Sequence, residues 1–135
     1  MGAFILFFAV LFGFLPGLGG VQSKARDTER KTDINNLHSQ VEVYYAENGY
    51  YPTLTNINDA TWRDNNMKGL DIEALKDPDG GLDPKLSAAP AKNIYSYNAR
   101  TSDGRDCNNT TASCDTYILT ATLSDGTTYT KSALN

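Results

Sequence analysis

The sequence predicts an α+β fold in which a long N-terminal helix, kinked or melted near Pro16–Gly20, packs on a small antiparallel β-meander. Three observations predict it. Met1 to Leu15 carry no charge, an apolar stripe recurs at helical spacing from Ile34 to Tyr45, and alternating β-branched and aromatic runs occupy the C-terminal part. A chain of 135 residues has room for one small domain. Its formal net charge is −4, from 12 basic and 16 acidic residues. No field of either sign is strong enough to gather a nucleic acid, so no nucleic-acid partner is expected. All five Phe lie between Phe4 and Phe14, whereas all eight Tyr lie from Tyr44 onward. That split suggests lipid or a protein core around the first part and a wetter environment around the rest.

The first element, residues 1–20, is an apolar segment with a break. Phe4, Ile5, Leu6, Phe7, Phe8, Val10, Leu11, Phe12, Phe14 and Leu15 supply its apolar surface, and the first basic residue is Lys24. A secretory signal peptide carries Lys or Arg before its apolar run, and none stands there. A transmembrane helix needs about 20 apolar residues. Residues 1–15 would span only about 22 Å at the helical rise per residue. The reading we favour is a membrane helix whose first turns precede Met1, or one that is eventually buried in a polymer. Pro16, Gly17, Gly19 and Gly20 then interrupt the pattern. Proline inside a helix costs about 3 kcal/mol, and glycine about 1 kcal/mol relative to alanine. A kinked or unwound stretch is expected there, an ordinary linker being the plainer alternative.

Residues 21–48 read as an amphipathic helix. Lys24, Arg26, Asp27, Glu29, Arg30, Lys31 and Asp33 alternate in sign. Asp27 and Lys31 stand at i,i+4 with the acid N-terminal, the favourable orientation for an ion pair. A mixed-sign face of this kind is solvated, or it sets electrostatic registry between identical helices. Ile34, Leu37, Val41, Tyr44 and Tyr45 form the stripe that a sheet must cover. His38 falls beside it and is expected at the helix surface. Asn48-Gly49 supplies a left-handed stop, and Pro52 prevents resumption.

The head occupies residues 49–135. Residues 53–92 read as an irregular connection with one short helix over Asp71–Lys76, broken by Asp77-Pro78-Asp79-Gly80-Gly81. Asp77, Asp79 and Asp83 are weak calcium candidates, since their spacing does not match an EF-hand loop. The antiparallel sheet is expected over residues 93–132. Its strands are Ile94–Ala99, Tyr117–Leu123 and Thr127–Lys131, the last two joined by a tight turn at Ser124-Asp125-Gly126. Cys107 and Cys114 are the only two cysteines. In an exported chain an isolated pair reads as a disulfide, which at this loop length contributes roughly 2–3 kcal/mol. Two free thiols in a cytosolic protein are the alternative. Zinc fits poorly, with one histidine far off in sequence. Asn108 and Asn109 begin two overlapping glycosylation sequons, a pattern that polar runs often match by chance.

Two runs carry a family resemblance. Ser23-Lys24-Ala25-Arg26-Asp27-Thr28-Glu29-Arg30-Lys31-Thr32-Asp33-Ile34 and the helix exit Val41 to Pro52, with its Tyr44-Tyr45 and Asn48-Gly49-Tyr50-Tyr51-Pro52, resemble the corresponding parts of bacterial type IV pilins. They are also similar to the major pseudopilins of type II secretion. The order of elements agrees over essentially the whole chain, so the resemblance implies a pilin-like fold. Family members begin with a short basic leader, a glycine before the cleavage site and a methylated phenylalanine near a Thr-Leu-Ile-Glu run, none of which is present. Setting Pro16 on the family's helix proline puts Met1 several residues inside the mature N-terminus. The family's registering glutamate then has no counterpart, and a start upstream of Met1 is expected.

The resemblance implies a structural subunit of a surface filament, polymerising through its N-terminal helix, with roles in adhesion, motility or DNA uptake. Its partners would be itself, as a helical homopolymer, and the pilus or secretion assembly machinery in the cytoplasmic membrane. The expected location is an extracellular filament, with the cytoplasmic membrane as the site before assembly. A secretion pseudopilin and a membrane-tethered or secreted monomeric binding domain are the rival readings. No Ser/His/Asp set, phosphate-binding glycine loop or recognisable pair of acids points to an enzyme, and no cofactor is expected. An apolar helix core accounts for Phe4, Phe8 and Phe12 at i,i+4 spacing without electron conduction.

Overall fold

The computed structural model describes residues 18–135. Its first element is the helix α1, Leu18–Asn48, 31 residues long, or about 46 Å at the α-helical rise. Gly19 and Gly20 lie within its first turn, so the expected break does not extend across residues 18–20. Interior glycine lowers helix propensity without forbidding the helical backbone. Pro16 and Gly17, with the apolar residues from Phe4 to Leu15, lie outside the described residues. The predicted stop is present. Gly49 takes φ +81°, and its N–H donates to the Tyr45 carbonyl at 2.7 Å. Asn48 Nδ2 donates to the Tyr44 carbonyl at 2.9 Å, so two carbonyls of the last turn have partners.

The loop-rich middle contains three short helical pieces: α2 at Leu54–Ile57, α3 at Ala60–Asn66 and a 3₁₀ turn at Ile72–Leu75. The last is the helix expected near Asp71, tightened to one 3₁₀ turn with Asp71 as its cap. The other two were not anticipated. Each is opened by a capping side chain. Thr53 and Asn56 form a reciprocal capping box, and Asp59 Oδ1 accepts from the Trp62 N–H at 3.1 Å. These pieces and the turns beside them bring Ile57, Met67, Ala74 and Leu75 into the core, and Leu86 joins them from the loop that follows.

Three strands follow: β1 at Ser96–Arg100, β2 at Thr116–Thr122 and β3 at Thr128–Ser132. They form an antiparallel sheet in the order β1-β2-β3. Gly126 supports the last turn at φ +87°, and Leu123 N–H donates to the Thr127 carbonyl at 2.8 Å across it. Period-two alternation turns Tyr117, Leu119 and Ala121 toward the core and leaves Ile118 exposed. The helix answers with Ile34, Leu37 and Val41, all fully buried, and with Tyr44. Tyr45 packs at the margin, its ring 4.5 Å from that of Tyr51.

The tyrosines do not mark a wet environment. Tyr51, Tyr95, Tyr97 and Tyr117 are among the largest fully buried side chains. Each hydroxyl has an acceptor: Tyr51 and Tyr117 donate to Glu42 at 2.9 and 2.6 Å. Tyr97 donates to the Pro52 carbonyl at 2.7 Å, and Tyr95 to Asp33 at 2.6 Å. Burial of such large rings is favourable once the polar tip is satisfied. Leu37→Ala, which opens a cavity under the sheet, is expected to lower the unfolding free energy by about 2–5 kcal/mol in urea denaturation, with the m-value unchanged.

Candidate functional site

The head covers α1 unevenly. From Arg30 to Tyr44 one side of the helix is buried, whereas between Gly20 and Glu29 only Ser23, Arg26 and Asp27 are even half-buried. Val21 is 65% exposed. Gln22, Lys24, Ala25, Thr28 and Glu29 are exposed with it. The helix therefore leaves the head at about Arg30 with its preceding turns largely unsheathed.

At that exit Arg30 is buried among carboxylates. Its Nε donates to Asp77 Oδ2 at 2.9 Å, and Nη2 to Asp77 Oδ1 at 3.1 Å and Asp79 Oδ2 at 2.7 Å. Nη1 donates to Asp27 Oδ1 at 2.7 Å and to Ser124 Oγ at 3.1 Å. One guanidinium thus joins the helix, the turn after the 3₁₀ piece and the β2–β3 turn. The bidentate Asp77 carboxylate is the main cause that holds Arg30 protonated above its ordinary pKa, against the cost of burial. Burial acts to raise the Asp27 pKa, but the Ser124 N–H and the Arg30 guanidinium outweigh it and leave that carboxyl below its usual range. Arg26 Nε approaches Asp79 Oδ2 at 3.1 Å on the rim.

This arrangement revises three expectations. Asp27 pairs with Arg30 at i,i+3, not with Lys31, because the buried guanidinium offers a charge-assisted bond shielded from water. Lys31 instead lies 5.8 Å from the centroid of the Tyr129 ring. The alternating charges are not all solvated, since Arg26, Asp27 and Arg30 have partners within the chain. Asp77 and Asp79 face arginines and Asp83 is exposed. Among the described residues no group of three or more His, Cys, Asp or Glu side chains is placed to hold a metal, so the calcium set is not assembled.

The other end of the helix is held by the disulfide loop. Cys107 and Cys114 are bonded, with their Cα atoms 5.1 Å apart. Cys114 is fully buried. Its carbonyl accepts from the Tyr51 N–H at 2.9 Å. Asn109, at φ +59°, donates from Nδ2 to the Tyr51 carbonyl at 2.7 Å and accepts at Oδ1 from the Cys114 N–H at 2.8 Å. That amide nitrogen is occupied in fixing the helix exit, which argues against a glycan on Asn109. Asn108 is exposed, its Oδ1 accepting from the N–H groups of Thr110 and Thr111, both at 2.8 Å. His38 is not a plain surface residue. It is half-buried, its Nε2 lies 3.0 Å from the Ser132 carbonyl, and its ring centroid is 6.1 Å from that of Tyr117.

Comparison with protein-family models, with curated proteins and with solved structures gives no match. Among the described residues no helix is long and apolar enough to cross a membrane.

Arg30→Ala strands the buried Asp77 carboxylate and is expected to cost about 3–5 kcal/mol of stability. In a double-mutant cycle Arg30→Ala and Asp77→Ala should be strongly non-additive, most of the loss appearing in either single variant.

Proposed function

We propose that this chain is a structural subunit of a bacterial type IV pilus-like surface filament, which polymerises through its N-terminal helix. The supporting observation is the uneven cover of α1. The part from Arg30 onward is fastened to a head, and the turns before it, apart from Arg26 and Asp27, which also reach the head, are largely exposed and lead toward the uncharged residues 1–15. A helix built this way has a surface to offer to copies of itself. Apolar burial at about 25 cal/mol per Å² would drive the packing of its first residues, and a heterologous contact that does not close generates a helical fibre. The helix would rest in the cytoplasmic membrane until assembly machinery extracts it. The head, with its disulfide loop and short-helix middle, would face outward in the filament.

Negative-stain microscopy of material sheared from the native cells, combined with mass spectrometry of the polymer, tests this. The expected result is thin filaments a few nanometres wide that yield peptides from the head. A protein found only with membranes, or only as a monomer, would replace the filament subunit with a tethered binding domain.

A further inference from the structure

Four aspartates gather around one stretch of α1: Asp27 and Asp33 on the helix, and Asp77 and Asp79 on the turn that follows the 3₁₀ piece. A guanidinium has five N–H donors. Those of Arg30 make five bonds, to Asp77 twice and to Asp79, Asp27 and Ser124. None goes to Asp33. That carboxyl belongs to a residue only 8% exposed, and the Tyr95 hydroxyl at 2.6 Å is the one donor bonded to it among the described residues. Tyr95 is itself fully buried.

Among the described residues, the charged and titratable groups around Asp33 leave it without a counter-ion. Glu29 and the already committed Arg30 stand on its own helix, Asp71 and Asp77 on the segment packed against it, and Tyr95 just before β1. An ionised carboxylate with one hydrogen bond, little water and three acids for neighbours is poorly stabilised. A protonated one is comfortable in the same place.

We propose that Asp33 is a proton-operated latch between α1 and the head, closed when protonated and loosened when ionised. The latch lies within the head and its helix and does not depend on assembly into a filament. Burial, followed by the repulsion of Glu29, Asp71 and Asp77, outweighs the Tyr95 hydrogen bond and pushes the Asp33 pKa up to about 6, from an ordinary 3.8. Burial, then the Asp33 carboxylate, also raises the Tyr95 pKa above its ordinary value, so that hydroxyl stays a donor while Asp33 titrates. Because the folded value lies above the unfolded one, the stability that this proton brings is present in full below the ordinary value. It is lost as pH rises through about 6.

The test uses the full chain in detergent. Carbon-13 NMR of the Asp33 carboxyl is followed with pH, and hydrogen exchange of residues 71–79 is compared at low and high pH after correction for intrinsic rates. A carboxyl that titrates near 6, with a segment that opens roughly tenfold more readily at pH 8 than at pH 5, is the expected result. Asp33→Asn, which keeps an acceptor for Tyr95, should remove that pH dependence. A carboxyl that titrates near 4 overturns the proposal. So does an Asp33→Asn chain with the wild-type dependence. The wild-type titration decides alone where the variant does not fold.

Discussion

A buried guanidinium can be tolerated only where its donors are all answered, and Arg30 meets that condition by drawing three separate parts of the chain to one point. Asp77 and Asp79 come from a turn 47 and 49 residues away, and Ser124 from a hairpin 94 residues away. The ion cluster takes over where the hydrophobic stripe stops, one turn before Ile34. Removing Arg30 would therefore do more than delete a contact, since it would leave the Asp77 carboxylate unpaired in a place closed to water, and removing Asp77 would leave two guanidinium N–H groups without their acceptor. A surface salt bridge would not have this leverage.

The core beyond it follows a similar rule in neutral form. Four tyrosines fill the space between helix and sheet, and each directs its hydroxyl to a defined acceptor on α1 or at its exit. Glu42 accepts from two of them. Tyr rings supply the area that leucines would, while their hydroxyls fix which helix face meets which strand. The disulfide loop uses Asn109 to hold Tyr51 by its backbone, which fastens the C-terminal end of the helix to the head. Between Arg30 and Tyr51, α1 and the sheet share one core.

Much of this was legible in the sequence because it depends on local period. The stripe from Ile34 to Tyr44 has helical spacing, Asn48-Gly49 has the residues a left-handed stop needs, and Tyr117–Leu123 alternates as a half-buried strand does. Two short helices in the middle show no such period, although Thr53 with Asn56 and Asp59 before Ala60 are readable caps. Helices of 4 and 7 residues give too little periodicity to stand out. The ion cluster was not legible. Sequence spacing offers Asp27 three cations, Lys24, Arg30 and Lys31, and only the fold shows which one is buried. Likewise nothing in Asp77-Pro78-Asp79 distinguishes a turn waiting for a cation from one already facing an arginine.

These features bear on assembly through a single division of α1. From Arg30 onward the helix is spoken for by its own head, whereas the turns before Arg30 show wide exposure, with Lys24 and Glu29 at the surface beside small residues such as Ala25 and Thr28. If the chain builds a polymer through this helix, the two parts must behave differently when it assembles. Hydrogen exchange of α1, compared between the detergent-solubilised chain and sheared native material, measures that directly. Packing of copies through the uncovered turns should bring strong new protection over residues 20–29 and little change over residues 34–45. Equal protection of residues 20–29 in the two samples would contradict it.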